Sequence, residues 1–384
     1  TACATRWIRA SRGRRVRPVR TLWNYAPRRG LSIPVVSCLT PEGEPCDTDQ
    51  RRLVRYLIQG GRGADVLFVM GTTGEWNRLD QRRRHRVIRV VVEEVRKHES
   101  RLAQAGERPV EAWVGLTAPT RAETLETLEL ALELGAHAGV IAPLAIRDVD
   151  DPVRFLQRDV ADLLDARGRA LPVFLYDNAD ISVGRERHLR TRAVKAASRL
   201  DFVRGIKVSA PPRKLGHYTK AARQFRDLGA FDIYVGEALS ILRMMRPRTG
   251  FWGSLREHWN RFLLHDLLPA GVVSGPANLL PREWQWAWRV ACAGDVERMD
   301  TVEALFRRFA ESYRFPEGKR SLAALKRGLF RRGVVSSDAV AKGTPALSQE
   351  QASVLDAELE RLGDEIAARL PARWVSDPAQ AEEP

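Results

Sequence analysis

From residue 33 onward the chain alternates short apolar runs rich in β-branched residues with longer segments whose apolar positions recur every three or four residues. The first pattern belongs to strands buried on both faces and the second to amphipathic helices, so the alternation predicts strand and helix in turn around a parallel sheet. Eight runs read as strands: IPVVSCL (33–39), DVLFVMG (65–71), VEAWVGL (110–116), AGVIAP (138–143), PVFLY (172–176), FVRGIKV (202–208), FDIYVG (231–236) and GVVSG (271–275). Eight such units predict an α/β fold, a (β/α)8 TIM barrel, and a chain of 384 residues holds one with extensions to spare.

The intervening segments carry helix start and stop signals. In TRAETLETLELALELGA, Thr120 and Glu123 make a capping box, Leu125, Leu128 and Leu132 line one face, and Gly135 ends the helix. Leu53, Val54, Leu57 and Ile58 form a similar stripe closed by Gly60 and Gly61. Trp284, Trp286 and Trp288 alternate as on a strand, but they follow Pro281 in the eighth helix position, where Trp284 and Trp288 share a face. Residues 244–268 lengthen the seventh crossover. There Leu255, Trp259, Phe262 and Leu263 form an apolar helical face, expected to serve packing or a subunit contact, with a lid over the site as the sharper reading. The expected organisation is a basic disordered arm (1–30), the barrel with its insertion (31–292), a C-terminal extension of about three helices (293–370), and a tail (371–384) too polar to pack.

Charge changes this picture only at the start of the chain. The net charge is +15, and nine of it sits on arginines within residues 1–30, which hold no Asp or Glu. A nucleic-acid tail, an organellar transit peptide, sequence read from upstream of the true start and a plain disordered arm all fit such a stretch, and the last two are the expected readings. No aromatic-and-basic module accompanies it, so nucleic acid is not an expected partner. The four cysteines, Cys3, Cys38, Cys46 and Cys292, are scattered without metal-ligand spacing, and no stretch approaches 18 uninterrupted apolar residues. The expectation is a cytoplasmic chain with no metal and no membrane span. Lysine is scarce beside arginine, which draws the eye to each lysine that is present.

In a barrel of this kind the reactive groups come from the C-terminal ends of the strands, and these ends are unusually polar here. They read GTTGEW (71–76), YDNAD (176–180), GIKVSA (205–210), VGEAL (235–239) and SGPAN (274–278). Lys207, flanked by Ile206 and Val208, is a partly desolvated amine of the sort that attacks a ketone to form an imine, an electron sink needing no metal or organic cofactor. Gly71, Thr72, Thr73 and Gly74 form a loop whose backbone N–H groups and two hydroxyls suit a carboxylate, and a small 2-oxo acid satisfies both features. Tyr176 is placed to move protons. Ser209 and Glu237 are candidates for contacting substrate hydroxyls, and Asn278 for lining the pocket.

The segments LVRYLIQGG, DVLFVMGTTGEWNRL, YDNAD, GIKVSA and GVVSGPANLLP, in this order and spacing, resemble the dihydrodipicolinate synthase / N-acetylneuraminate lyase family of class I aldolases over roughly residues 31–345. The resemblance implies a homo-oligomer, dimer or tetramer, that acts on pyruvate or a related 2-oxo acid and an aldehyde. It also implies Lys207 as imine former, Tyr176 as proton shuttle, and Thr72 and Thr73 as carboxylate and hydroxyl relay. Two departures stand out. Family members that make dihydrodipicolinate carry a tyrosine pair where this chain has Leu144 and Ala145, and an arginine where it has Ile181. The reading is therefore a Schiff-base lyase, aldolase or dehydratase. The alternatives are a 4-hydroxy-tetrahydrodipicolinate synthase with an altered acceptor side, and a barrel that binds a 2-oxo acid without turning it over.

Overall fold

The structure is a computed structural model that describes residues 25–209, 218, 231–236, 239–247, 250–259, 269–312 and 321–382. Eight parallel strands close into a barrel in chain order. They are β1 Gly30–Pro34, β2 Val66–Val69, β3 Glu111–Gly115, β4 Ala138–Ile141, β5 Val173–Asn178, β6 Val203–Ser209, β7 Asp232–Val235 and β8 Gly271–Val273. Seven fall on the expected runs. The first begins three residues early, and the whole of VVSCL (35–39) lies beyond it. Val36, Cys38 and Leu39 are nonetheless buried. Their stretch leaves the ladder because side chains take its backbone donors: Val36 N–H donates to Asn278 Oδ1 (3.2 Å) and Cys38 N–H to Gln50 Oε1 (2.9 Å). An apolar run signals burial, and here the burial is that of a loop.

The barrel interior is layered. Trp113, Phe174 and Tyr234, from β3, β5 and β7, form an aromatic layer in which Trp113 stacks on Phe174 at 4.1 Å and Tyr234 meets Phe174 edge-on at 5.5 Å. Gly205 makes room for it, since a Cβ there would lie 2.7 Å from the Phe174 ring. Toward the C-terminal ends of the strands, Phe68 from β2 and Lys207 from β6 come next.

Around the barrel the helices follow their signals. Thr120 accepts from Glu123 N–H (3.3 Å) to start Arg121–Glu133, but the capping box is only half made, because the Glu123 carboxylate turns to Arg84 (3.4 Å). Trp284, Trp286 and Trp288 all lie buried in the helix Pro281–Ala293. In the insertion, Phe251 and Trp252 are exposed at the start of the helix Phe251–Trp259, as is Leu255. Phe262 and Leu263 lie outside the described residues. No helix among the described residues is long and apolar enough to cross a membrane.

Both expected disordered ends reach further into the fold than the sequence suggested. Most of the basic arm lies outside the described residues, but its last part seals the N-terminal end of the barrel. Tyr25 Oη donates to Glu111 (3.2 Å), Arg28 donates to the Pro109 carbonyl (2.7 Å), and Tyr234 Oη donates to the Arg28 carbonyl. A chain starting at residue 31 is therefore expected to be less stable than one starting at residue 25 by about 2–4 kcal/mol for these contacts, and so to unfold at a lower denaturant midpoint. Equal midpoints in a urea titration would show that the segment adds nothing.

The polar tail is docked as well. After the extension helices Val296–Ser312, Leu322–Arg331 and Gln349–Arg369, the chain makes two short 3-10 turns. Ser376 N–H donates to Glu283 (2.8 Å), Asp377 N–H donates to Gln59 (3.0 Å), and Ala381 is fully buried. The tail packs despite its polarity because its hydrogen bonds go to buried polar groups of the barrel helices.

Candidate active site

The barrel register brings the site together. Tyr176 and Lys207 are paired across β5 and β6, and Asn178 and Ser209 are paired one step further along. Side chains two apart on a strand share a face, so all four project to the same side at the C-terminal ends of these strands. Lys207 is 7% exposed, and its Nζ lies 3.9 Å from the centroid of the Tyr176 ring and 4.8 Å from that of Phe68. An amine among two aromatic faces is shielded from water yet keeps favourable contacts while charged.

The Tyr176 hydroxyl is the hub of the hydrogen bonds. It lies 3.1 Å from Thr72 Oγ1 and 3.4 Å from Ser209 Oγ, and it accepts from Asn178 Nδ2 at 3.0 Å. Burial pushes its phenol up, but the Lys207 charge and the contacts from Ser209, Thr72 and Asn178 outweigh it and hold the phenol below its ordinary value. A buried phenol that releases its proton more readily than free tyrosine, beside a lysine, is equipped to move protons.

Thr72–Gly74 forms one 3-10 turn between β2 and the helix Gln81–Gln104. Gly71 precedes it because the backbone passes close to Phe68: a Cβ there would lie 2.6 Å from that ring. The turn separates its two threonines. Thr72 reaches Tyr176, whereas Thr73, expected to act in catalysis, is directed toward the β8 loop, where its Oγ1 stands 4.0 Å from the place a Gly275 side chain would occupy.

Asn278 is a second correction. It is fully buried and its amide is engaged with backbone on β1 and the β8 loop, donating to Pro34 O (2.8 Å) and Gly275 O (2.9 Å) while accepting from Val36 N–H. It stitches the barrel shut and offers no free polar group to a ligand. Glu237 lies outside the described residues. Asn178, which the sequence reading passed over, was legible as the residue two positions after Tyr176 on one strand. Its Oδ1 is held by Asp180 N–H (3.0 Å), which aims the amide at the phenol.

The two departures from the family pattern sit on adjoining loops. Leu144 lies in the 3-10 turn Pro143–Ala145, and its carbonyl accepts from Val183 N–H at 3.0 Å, two residues beyond Ile181. Ala145 is buried, and Leu144 and Ile181 pack against the core. Among the described residues no group of three His, Cys, Asp or Glu side chains stands close enough to hold a metal ion.

Comparison with known proteins agrees with this geometry. The model of the Dihydrodipicolinate synthetase family matches residues 27–128. A 4-hydroxy-tetrahydrodipicolinate synthase of Halorhodospira halophila is 27% identical over 258 residues, 66% of this chain and 69% of that protein. An uncharacterized DapA-like lyase of Halobacterium salinarum is 26% identical over 345 residues, 87% of this chain and 94% of its own. Among solved structures, dihydrodipicolinate synthase from Bacteroides thetaiotaomicron superposes with a TM-score of 0.69 at 21% identity, covering 88% of this chain and 99% of that one. A prophage protein from E. coli K12 of the dihydrodipicolinic acid synthase family, solved in complex with pyruvate, gives 0.67 at 19% identity over 88% and 99%.

Proposed function

Because the chain belongs to the dihydrodipicolinate synthase / N-acetylneuraminate lyase family, we propose that it is a class I lyase that joins a 2-oxo acid to an aldehyde, or cleaves the product, through an imine on Lys207. The observation that carries this reading is the pairing of Lys207 with Tyr176 at the barrel mouth, with the Tyr176 hydroxyl linked to the Thr72 turn.

In the synthetic direction the neutral Lys207 amine attacks the ketone carbon, and the carbinolamine loses its oxygen as water, protonated by way of the Tyr176 hydroxyl. The resulting iminium withdraws electrons, so a proton leaves the neighbouring carbon and an enamine forms. That carbon attacks the aldehyde carbonyl, making the new carbon–carbon bond while the aldehyde oxygen takes up a proton to become a hydroxyl, and water then hydrolyses the imine to free Lys207 and the new 2-oxo acid. The N–H groups of Thr72 and Thr73 are offered to the carboxylate, that of Gly74 being taken by the Gly71 carbonyl (2.9 Å). Pyruvate or a close relative is the proposed donor, and the working unit is a homo-oligomer. The direct test is mass spectrometry after incubation with pyruvate and borohydride: a single adduct on Lys207 supports the reading, and an adduct on Lys195, Lys214 or no residue at all refutes it.

The acceptor side follows from Ile181, Leu144 and Ala145, which offer neither a guanidinium nor a phenol to a charged aldehyde. Aspartate semialdehyde is expected to be a poor acceptor. The missing charge-assisted contact alone costs about 2–3 kcal/mol, roughly 30- to 150-fold in kcat/KM. An apolar or polyhydroxylated aldehyde should do better. Should aspartate semialdehyde lead the panel by tenfold, the chain is a dihydrodipicolinate-forming enzyme with its charge supplied elsewhere.

A further inference from the structure

Glu75 closes the threonine turn with its backbone in the left-handed region, at φ 57, a conformation unfavourable for any residue with a side chain. Its carboxylate is buried and points away from the site into the C-terminal extension. One oxygen accepts from Lys326 Nζ at 2.6 Å, and the other accepts from Ala341 N–H at 2.8 Å and from Thr344 Oγ1 at 2.7 Å. Lys326 is equally buried and also donates to the Ala339 carbonyl at 2.8 Å. Its neighbour Leu325 comes within 3.9 Å of the place a Gly275 side chain would take, the same place that Thr73 Oγ1 approaches at 4.0 Å, so the helix Leu322–Arg331 lies directly beside the turn. From the barrel side Ser37 Oγ donates to the Gly74 carbonyl at 2.8 Å. The turn is thus held between the loop that follows β1 and the extension by directed bonds.

A buried ion pair contributes little net stability over an apolar pair of the same size, and what it adds is direction. We infer that Lys326 and Glu75 are positioning residues, through which the C-terminal extension sets the Thr72–Thr73 turn against Tyr176 and so sets the affinity for the carboxylate of the 2-oxo acid. The inference rests on Lys207 being the imine former.

The test uses the full chain and follows trapping of pyruvate on Lys207 with cyanoborohydride, by mass, as pyruvate concentration is varied, alongside thermal unfolding. Lys326→Met should raise the half-saturating pyruvate concentration at least tenfold and slow trapping at saturation, while the adduct stays on Lys207. Arg327→Ala is the control for a general loosening. It removes the part-buried pairs with Asp356 (2.7 Å) and Asp338 (3.3 Å) from the same helix without touching Glu75, and should lower the unfolding temperature while leaving the half-saturating concentration within twofold. Thr344→Val, which deletes only one donor to Glu75, should shift that concentration two- to fivefold the same way, and it decides the matter if Lys326→Met does not fold. Wild-type concentration dependence in Thr344→Val and in any folded Lys326→Met overturns the inference, as do parallel shifts in Arg327→Ala. Absence of any adduct in the unmodified chain is a separate outcome: it refutes the imine reading itself, and the positioning role with it.

Discussion

Exchange of Lys207 for arginine is expected to lower turnover by on the order of 10⁴-fold or more, equivalent to about 5 kcal/mol of transition-state stabilisation, and to abolish the pyruvate adduct. Arginine keeps the positive charge, and the barrel mouth has aromatic faces, Tyr176 and Phe68, against which a guanidinium stacks well. The fold should therefore survive, with an unfolding temperature near that of the parent chain. What is lost is the lone pair: a guanidinium stays protonated at any working pH and does not attack a ketone. Steady-state rates and intact-protein mass on the same preparation check both halves. A folded variant that keeps more than a hundredth of the activity would show that the reaction does not pass through an imine on this residue.

Tyr176→Phe is the second large effect, expected at about 10²- to 10³-fold in kcat/KM, the range for removing one positioned proton carrier. Its pH dependence is the more telling readout. The phenol is held below its ordinary value by the Lys207 charge and its hydroxyl partners, against the opposing pull of burial. The parent enzyme should accordingly show an alkaline limb below 10, where Tyr176 loses the proton it passes on, and the phenylalanine variant should lack it. The sign for stability is distinct. A depressed folded-state value contributes its full stability above the unfolded phenol's value near 10, and that contribution declines as pH falls and is gone below the folded value. Below the folded value any loss of stability in Tyr176→Phe thus reports the missing hydrogen bonds and not the titration. An unchanged alkaline limb would assign it to another group.

The strand-and-helix alternation was legible because each barrel strand is buried on both faces, which leaves an unbroken apolar run in the sequence. The same reasoning misplaced β1, since VVSCL is buried as a loop and hydrophobicity does not say whether a ladder or a side chain satisfies the backbone. At the site, Lys207 and Tyr176 were legible one by one as polar residues at strand ends, but their adjacency depends on register, which no local pattern carries. Thr72 and Thr73 were indistinguishable in the sequence; a 3-10 turn points consecutive side chains about 120° apart, and only one meets the phenol. Asn278 was misread because an amide that serves the backbone and one that serves a ligand look alike in sequence. The docking of 371–382 was hidden for a related reason. Its partners, Gln59 and Glu283, lie far away along the chain, and composition counts polar residues without saying who bonds them.

That last contact has a consequence in time. Glu283 sits fully buried with its carboxylate bonded to Ser376, and burial pushes its proton affinity up. The two residues are 93 positions apart, so a ribosome adding residues at its usual pace takes about 5–20 s between them. Throughout that interval the nascent helix that follows the last strand carries an acid whose final partners do not yet exist. Either it stays wet, or it is buried protonated and must later be re-bonded. Docking of Ser376 onto the helix Pro281–Ala293 is in this sense a late step of folding, and the helix surface around Glu283 is open to solvent until it happens.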